Sequence, residues 1–146
     1  PALREEATGA AASVVAAQPA VRAVLLEFQR NFARHPPGGA PGAVLDGRDI
    51  GTVIAPEPDV VKFFITASAE TRARRRLEEL QARGEKTIYA RVLQDMKERD
   101  ARDAGRGIAA LKKAPDAVEI DTSELNADQV FEIALSVIAS RNRGPA

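Results

Sequence analysis

The stretch Val60-Val61-Lys62-Phe63-Phe64-Ile65-Thr66 decides the fold class of this chain. It is built mainly from β-branched and aromatic residues, and Pro56 and Pro58 precede it. A run that is apolar on both faces is typical of a strand in a parallel sheet that helices cover. A shorter apolar run at residues 43–45 and the stretch Ala117-Val118-Glu119-Ile120-Asp121 predict two further strands.

Helical patterns lie between and around these strands. Ser68 can cap a helix that runs to about residue 83, where Gly84 would stop it. Thr87 can cap a second helix that runs to about residue 103, and a capping box of Asn126 and Gln129 opens a last one. Before the strands, helices are predicted over residues 5–17 and from Pro19 onward. The second of these carries an apolar stripe made of Val21, Val24, Leu25, Phe28 and Phe32. The alternation predicts an α/β fold, a parallel sheet flanked by helices.

Composition excludes several classes of protein. The 146 residues suit one domain, and 21 basic side chains balance 21 acidic ones, so no net field attracts nucleic acid or a membrane. The chain has no cysteine, which fits a reducing cytoplasm, and no apolar run approaches the roughly 20 residues of a membrane span. We therefore expect a cytoplasmic protein with neither a nucleic-acid nor a membrane partner. Eleven of the 21 basic residues lie between Arg72 and Arg106, where an anionic ligand would dock.

Asp46-Gly47-Arg48-Asp49 follows the predicted strand at residues 43–45. Ligands of open parallel sheets bind beyond the carboxyl ends of the strands. Gly47 allows a sharp turn, after which Arg48 could hold a phosphate through a two-pronged contact. The carboxylate of Asp49 could accept a hydrogen bond from the exocyclic amine of a base such as cytosine. The alternative is an ordinary turn with a local ion pair.

A second charged block follows the apolar positions of the predicted helix from Thr87. Arg99, Asp103 and Arg106 are spaced four and three apart, so they share one helix face if the helix continues that far. They extend the apolar line through Val92 and Met96, which would point them toward the core side or a cleft. The alternative is a solvated face that Glu98, Asp100 and Asp103 neutralise.

The preceding helix has arginines at its N-terminal half, where the helix dipole disfavours cations. These are Arg72, Arg74, Arg75 and Arg76. A nucleotide phosphate would compensate the repulsion, but so would Glu70, Glu78 and Glu79 on a solvated face. His35, the only histidine, is interpreted as a helix C-terminal residue, and Tyr89, the only tyrosine, as packing. No catalytic triad, carboxylate pair or metal-ligand cluster emerges, so no metal ligand is predicted.

Taken together, these stretches resemble the bacterial cytidylate kinases, nucleoside monophosphate kinases of the P-loop class. The similarity spans nearly the whole chain. Two blocks carry it, D-G-R-D-I-G-T at residues 46–52 and E-R-D-A-R-D at residues 98–103. Together they are highly specific to the family, and neither alone would be. Other matching stretches include L-R-E-E at residues 3–6, A-A-A-S-V-V-A at residues 10–16, P-A-V-R at residues 19–22, K-F-F-I-T-A-S at residues 62–68 and R-R-R at residues 74–76.

The resemblance implies an enzyme of pyrimidine nucleotide metabolism. It would transfer the γ-phosphoryl group of ATP, with Mg²⁺, to CMP or dCMP. Arg4 and Asp49 would recognise the base, and Arg99 with Asp103 would contact the sugar. Arg48 and Arg106 would hold phosphate and act in catalysis. The resemblance also gives Arg74, Arg75 and Arg76 a weaker phosphate role in the helix that enters a lid over ATP.

The resemblance also implies a division of the chain and a departure from the family. Residues 1–38 would be the helical remainder of the CMP-binding region, and residues 39–146 the C-terminal part of the α/β core, with the lid at about 69–106. The family's phosphate-binding loop, GxxxxGK[ST], does not occur in this sequence. The family's first strand would lie between those at residues 43–45 and 60–66. We therefore expect an incomplete fold, a fragment inactive alone, whose partner would be its N-terminal part.

Two other functions remain open at this point. The first is a non-catalytic nucleotide-binding or scaffold protein derived from the same fold. The second is a small helical nucleic-acid-binding module that uses the region between Arg72 and Arg106. Zero net charge and few aromatic residues argue against the second. Within the kinase interpretation, specificity for UMP or AMP is also an alternative.

Overall fold

The computed structural model of the chain describes residues 6–16, 18–104 and 112–142. These ranges contain five α-helices and two β-strands. In chain order they are α1 (Glu6–Ala16), α2 (Pro19–Arg34), β1 (Phe63–Thr66), α3 (Ala69–Ala82), α4 (Tyr89–Ala104), β2 (Val118–Asp121) and α5 (Ala127–Asn142). The chain divides into two compact units, Pro1–Ile50 and Gly51–Ala146, which are described separately.

The first unit consists mainly of α1 packed against α2. Pro19 occupies the first turn of α2, where its missing N–H group costs nothing, and His35 is the C-cap residue. The helix predicted there is confirmed. Its apolar stripe lies largely at the surface of this unit, since Val24 is 69% exposed and Phe28 is 64% exposed.

The strand predicted at residues 43–45 is wrong. This segment is irregular, and Val44 is 99% exposed. A strand is stable only when its backbone groups pair with a neighbour. Within the part of the chain that the structure describes, β1 and β2 pair with each other and no strand pairs with this segment. An apolar run alone was therefore not enough to predict a strand at residues 43–45.

The second unit is built on the parallel pair β1 and β2, in which Phe63 lies opposite Val118 and Thr66 opposite Asp121. One further hydrogen bond extends the ladder at its carboxyl end, from the Thr122 N–H to the Thr66 carbonyl over 2.8 Å. The helices α3 and α4, which pack against each other, connect the two strands. The predicted α/β class, a parallel sheet with flanking helices, is confirmed.

Two of the three predicted helix caps of this unit are present, at Ser68 and Asn126. The helix that Thr87 was predicted to cap begins at Tyr89, so Ile88 and not Thr87 directly precedes it. The Ser68 hydroxyl accepts a hydrogen bond from the Thr71 N–H group at 3.1 Å, which starts α3. At the start of α5, Asn126 and Gln129 exchange reciprocal side-chain-to-backbone hydrogen bonds, both 2.9 Å long. Each cap satisfies N–H groups that have no partner inside the helix. Gly84, with φ of 81°, follows α3 as predicted.

A buried lysine ties the segment before β1 to the segment before β2. The Lys62 side chain is 4% exposed, and its Nζ donates to Asp116 Oδ2 at 2.7 Å and to the Pro56 carbonyl at 2.9 Å. Arg141 of α5 donates to the Asp116 carbonyl at 3.2 Å. A buried ammonium group needs such partners, because an unpaired charge in the interior is strongly unfavourable.

We expect Asp116→Asn to lower the melting temperature by an amount that depends on pH. The hydrogen bond from Lys62 lowers the pKa of Asp116 below its usual value. A carboxyl group with a lowered folded-state pKa stabilises the fold above its unfolded pKa, about 4, and loses that contribution as pH falls through the lowered value. The difference from wild type should be largest near about pH 7 and shrink toward about pH 3.

Thermal unfolding of both variants followed by circular dichroism checks this. Asp59→Asn is the matched control, because Asp59 is an exposed carboxylate in the loop before β1. It should leave the melting temperature unchanged. An Asp116→Asn penalty that stayed constant as the pH was lowered would contradict a stabilising role for the Lys62–Asp116 pair.

Candidate functional site

The first four residues of the block at 46–52, Asp46-Gly47-Arg48-Asp49, lie in a bend near the end of the first unit. A Cβ atom on Gly47 would approach Ile50 Cδ1 to 3.0 Å, so a larger residue here requires the end of the Ile50 side chain to shift. Arg48 is exposed and Asp49 is half-buried. A π-helical turn, Ile50–Ile54, follows, and its last residue is buried. The bend therefore presents the Arg48 side chain at the surface of the unit.

The second predicted block, residues 98–103, belongs to α4, which continues to Ala104. The helical condition for Arg99 and Asp103 to share a face is therefore met. Val92 is buried and Met96 is half-buried, whereas Arg99 is exposed, so Arg99 does not continue the apolar line toward the core side as predicted. The side chain of Asp103 lies outside the described residues, as do Arg4 and Arg106. Their roles, like those of Arg48, Asp49 and Arg99, remain predictions.

Asp100, inside this block, contacts the neighbouring helix α3. Its carboxylate accepts two hydrogen bonds from the guanidinium of Arg72, at 3.1 Å from Nη1 and 2.6 Å from Nη2. These bonds lower the pKa of Asp100 and raise the pKa of Arg72 further above its usual value. The sequence interpretation gave Asp100 only a neutralising role. Asp100 lies four residues after Met96, on the face of α4 that packs against α3. That spacing was the signal from which its contact with Arg72 could have been predicted.

Arg75, one of the predicted phosphate ligands, is held by protein oxygens. Its guanidinium donates to the Thr122 hydroxyl at 3.0 Å, the Thr122 carbonyl at 2.6 Å and the Leu125 carbonyl at 3.1 Å. Thr122 is buried at the carboxyl end of β2. Arg75 therefore fastens α3 to the loop that follows β2.

The neighbouring arginines have different surroundings. Arg76 pairs with Glu79 at 2.7 Å on the same helix, and Arg83 pairs with the same carboxylate. The pKa of Glu70 is lowered, first by a backbone N–H group, then by Lys97, with a smaller contribution from Arg74. The solvated-face alternative thus accounts for Arg76, and a phosphate role for Arg74, Arg75 and Arg76 stays a prediction.

These contacts give a stability prediction. Arg75→Ala should lower the free energy of unfolding by about 1–3 kcal/mol, because it removes charged hydrogen bonds to buried and half-buried acceptors. Arg76→Ala is the matched comparison and should cost less than about 0.5 kcal/mol, since its only described partner is a surface carboxylate one turn away. Urea unfolding of the two variants measures the difference. Equal losses would contradict the structural role of Arg75.

The described residues do not offer a metal site of their own. Within residues 6–16, 18–104 and 112–142, no group of three or more His, Cys, Asp or Glu side chains could hold a metal ion. Within the same ranges, no helix combines the length and apolar character needed to cross a bilayer.

Comparison with known proteins identifies the family. A family model described as cytidylate kinase matches residues 1–140. The chain belongs to the cytidylate kinase family. It is 55% identical to the cytidylate kinase of Rhodospirillum rubrum over 141 residues, which cover 97% of this chain and 66% of that protein. It is 58% identical to the cytidylate kinase of Paramagnetospirillum magneticum over 139 residues, which cover 95% of this chain and 65% of that protein.

A third relative, the cytidylate kinase of Methylocella silvestris, is 53% identical over 138 residues, which cover 94% of this chain and 62% of that protein. The chain thus spans about two thirds of the length of the cytidylate kinases that it matches. The resemblance drawn from the two blocks at residues 46–52 and 98–103 is confirmed.

Proposed function

We propose that the protein transfers the γ-phosphoryl group of ATP to CMP or dCMP, giving ADP and CDP or dCDP. Mg²⁺ would accompany ATP. The observation that carries the proposal is cytidylate kinase family membership over residues 1–140, which includes the blocks at residues 46–52 and 98–103. The proposed setting is the cytoplasm, with small nucleotides as the partners rather than nucleic acid or a membrane.

In the proposed reaction a phosphate oxygen of CMP attacks the γ-phosphorus of ATP, and the bond from that phosphorus to the β-phosphate oxygen of ADP breaks. The reaction requires in-line positioning and positive charge on the transferring group, and little covalent chemistry from the protein. Arginines suit this task because a guanidinium stays charged and matches phosphate geometry. We assign this stabilising positive charge to Arg48 and Arg106.

Recognition of CMP falls to other residues in this proposal. Asp49 and Arg4 would bind the cytosine, since a carboxylate can accept a hydrogen bond from its exocyclic amine. Arg99 and Asp103 would bind the sugar. The exposure of Arg99 on α4, while Asp100 takes up the contact with α3, supports this assignment for Arg99.

The helices α3 and α4, joined by residues 83–88, would form the lid, whose limits we place at about residues 69–106. Closure of such a helical pair over ATP would exclude water from the transferring group. Residues 1–38 would belong to the CMP-binding region and residues 39–146 to the α/β core. Because the 146 residues contain no GxxxxGK[ST] motif, we propose that they do not turn over ATP by themselves.

The test is an initial-rate measurement with the protein expressed from its complete gene. ADP formation is followed with ATP and Mg²⁺ in the presence of CMP, dCMP, UMP or AMP. We expect the cytosine nucleotides to be the best acceptors. Absence of ADP formation with any acceptor would overturn the kinase assignment. The non-catalytic alternative predicts that outcome together with measurable CMP binding.

A further inference from the structure

Asp100 stands at the junction of the apolar and charged parts of α4. Val92, Met96 and Asp100 follow one another at intervals of four residues, which places them along one side of the helix. Val92 is buried and Met96 is half-buried, whereas Asp100 continues the line as a carboxylate paired with Arg72 of α3. The packed face of α4 therefore ends in an ion pair between helices.

Arg72 connects this ion pair to the sheet. Besides its two bonds to Asp100, its Nε donates to the carbonyl of Ala67, which directly follows β1, at 3.2 Å. One guanidinium thus joins the carboxyl end of a strand to α4. A second pair, Lys97 Nζ to Glu70 Oε1 at 3.4 Å, links the same two helices. The planar fork of arginine fixes both the distance and the orientation of its partner.

We propose that Arg72 and Asp100 are positioning residues that hold α4 in the rotation about its axis that nucleotide binding requires. Successive residues of a helix are turned by about 100° from one another. With Asp100 held toward α3, Arg99 is directed to the neighbouring face, which it shares with position 103. This inference rests on the proposed function, because it takes Arg99 and Asp103 as sugar ligands. The inference adds Arg72 and Asp100 to the residues on which CMP binding depends. Neither touches the substrate, and both act through the rotation of α4.

The expected kinetic effect is on substrate binding more than on the chemical step. Sugar contacts are the same in the ground state and the transition state, so weakening them raises KM with little change in kcat. Asp100→Asn and Arg72→Ala should each raise the KM for CMP roughly five- to tenfold, the loss typical of one charge-assisted contact. The double variant should be no worse than Arg72→Ala alone, because Arg72→Ala already removes the contact with Asp100.

The experiment uses the protein expressed from its complete gene. The KM and kcat for CMP are measured for wild type, Asp100→Asn, Arg72→Ala, the double variant and Arg72→Lys. Asp95→Asn is the matched control, since Asp95 lies on the same helix but pairs with Arg91 within it. Its KM should equal that of wild type. Arg72→Lys keeps the charge without the fork and should fall between wild type and Arg72→Ala.

Each outcome decides between the proposals. No phosphorylation of CMP by wild type means that the proposed function has failed. An active wild type with a normal KM in both single variants means that only the positioning role has failed. A raised KM in Asp100→Asn but not in Arg72→Ala would also overturn it, because it would indicate direct substrate contact by Asp100. Thermal unfolding of each variant distinguishes the positioning role from a general loss of stability. A general loss of stability would lower kcat and the melting temperature together.

Discussion

Replacing Arg48 with alanine is expected to lower the turnover of CMP by about 10²–10³-fold. In the proposed reaction negative charge spreads over the transferring phosphoryl group, and a guanidinium placed there stabilises the transition state more than the bound substrate. The bend at residues 46–49 presents Arg48 at the surface, where it would meet phosphate. The measurement is kcat at saturating CMP and ATP.

Two further variants make this result specific. Arg48→Lys keeps the positive charge but loses the two-pronged geometry, so we expect a smaller loss of turnover than with alanine. Arg22→Ala is the matched control, because Arg22 is an exposed arginine on α2 in the same unit. It should leave kcat unchanged. Near-normal turnover by Arg48→Ala would remove Arg48 from the phosphate site.

Asp49→Ala is expected to reduce the preference for CMP over UMP by about 10- to 100-fold in kcat/KM, the value of one good contact to a base edge. Cytosine carries an exocyclic amine where uracil carries a carbonyl oxygen. A carboxylate at this position accepts a hydrogen bond from the amine of cytosine and repels the carbonyl oxygen of uracil. Its removal should therefore raise kcat/KM for UMP and lower kcat/KM for CMP. Steady-state rates with the two nucleotides measure the ratio.

Asp49→Asn sharpens the test, since its amide can donate a hydrogen bond to the uracil oxygen. It should improve UMP further relative to CMP. The control is Asp59→Asn, an exposed carboxylate outside both blocks, which should keep the preference of wild type. Unchanged discrimination between CMP and UMP in both Asp49 variants would show that Asp49 does not bind the base.

Local signals predicted much of the fold. The Ser68 cap and the Asn126–Gln129 box lie within three or four residues of the N–H groups that they satisfy, so the sequence alone locates both helix starts. The strand around Phe63–Thr66 was predictable because it is apolar on both faces. Residues 43–45 were also apolar, but a strand depends on a partner elsewhere in the chain. That information is absent from the stretch itself.

The candidate site was less predictable because its contacts are distant in sequence. Arg75 binds Thr122, 47 residues later, and Arg72 binds Asp100, 28 residues later. The sequence presented Arg72, Arg74, Arg75 and Arg76 as one cluster of cations. The structure distinguishes among them, since Arg75 holds a loop and Arg72 holds a helix. Charge density identified the region, but only coordinates showed which side chains have protein partners.

Equilibrium binding of CMP, compared with AMP, tests the central claim most directly. The claim is that the blocks at residues 46–52 and 98–103 serve a cytosine nucleotide. Isothermal titration of each nucleotide into the protein expressed from its complete gene gives the two dissociation constants. We predict that CMP binds at least about tenfold more tightly than AMP, a difference that one base contact provides. Equal affinity for the two nucleotides, or no heat of binding with CMP, would contradict the account.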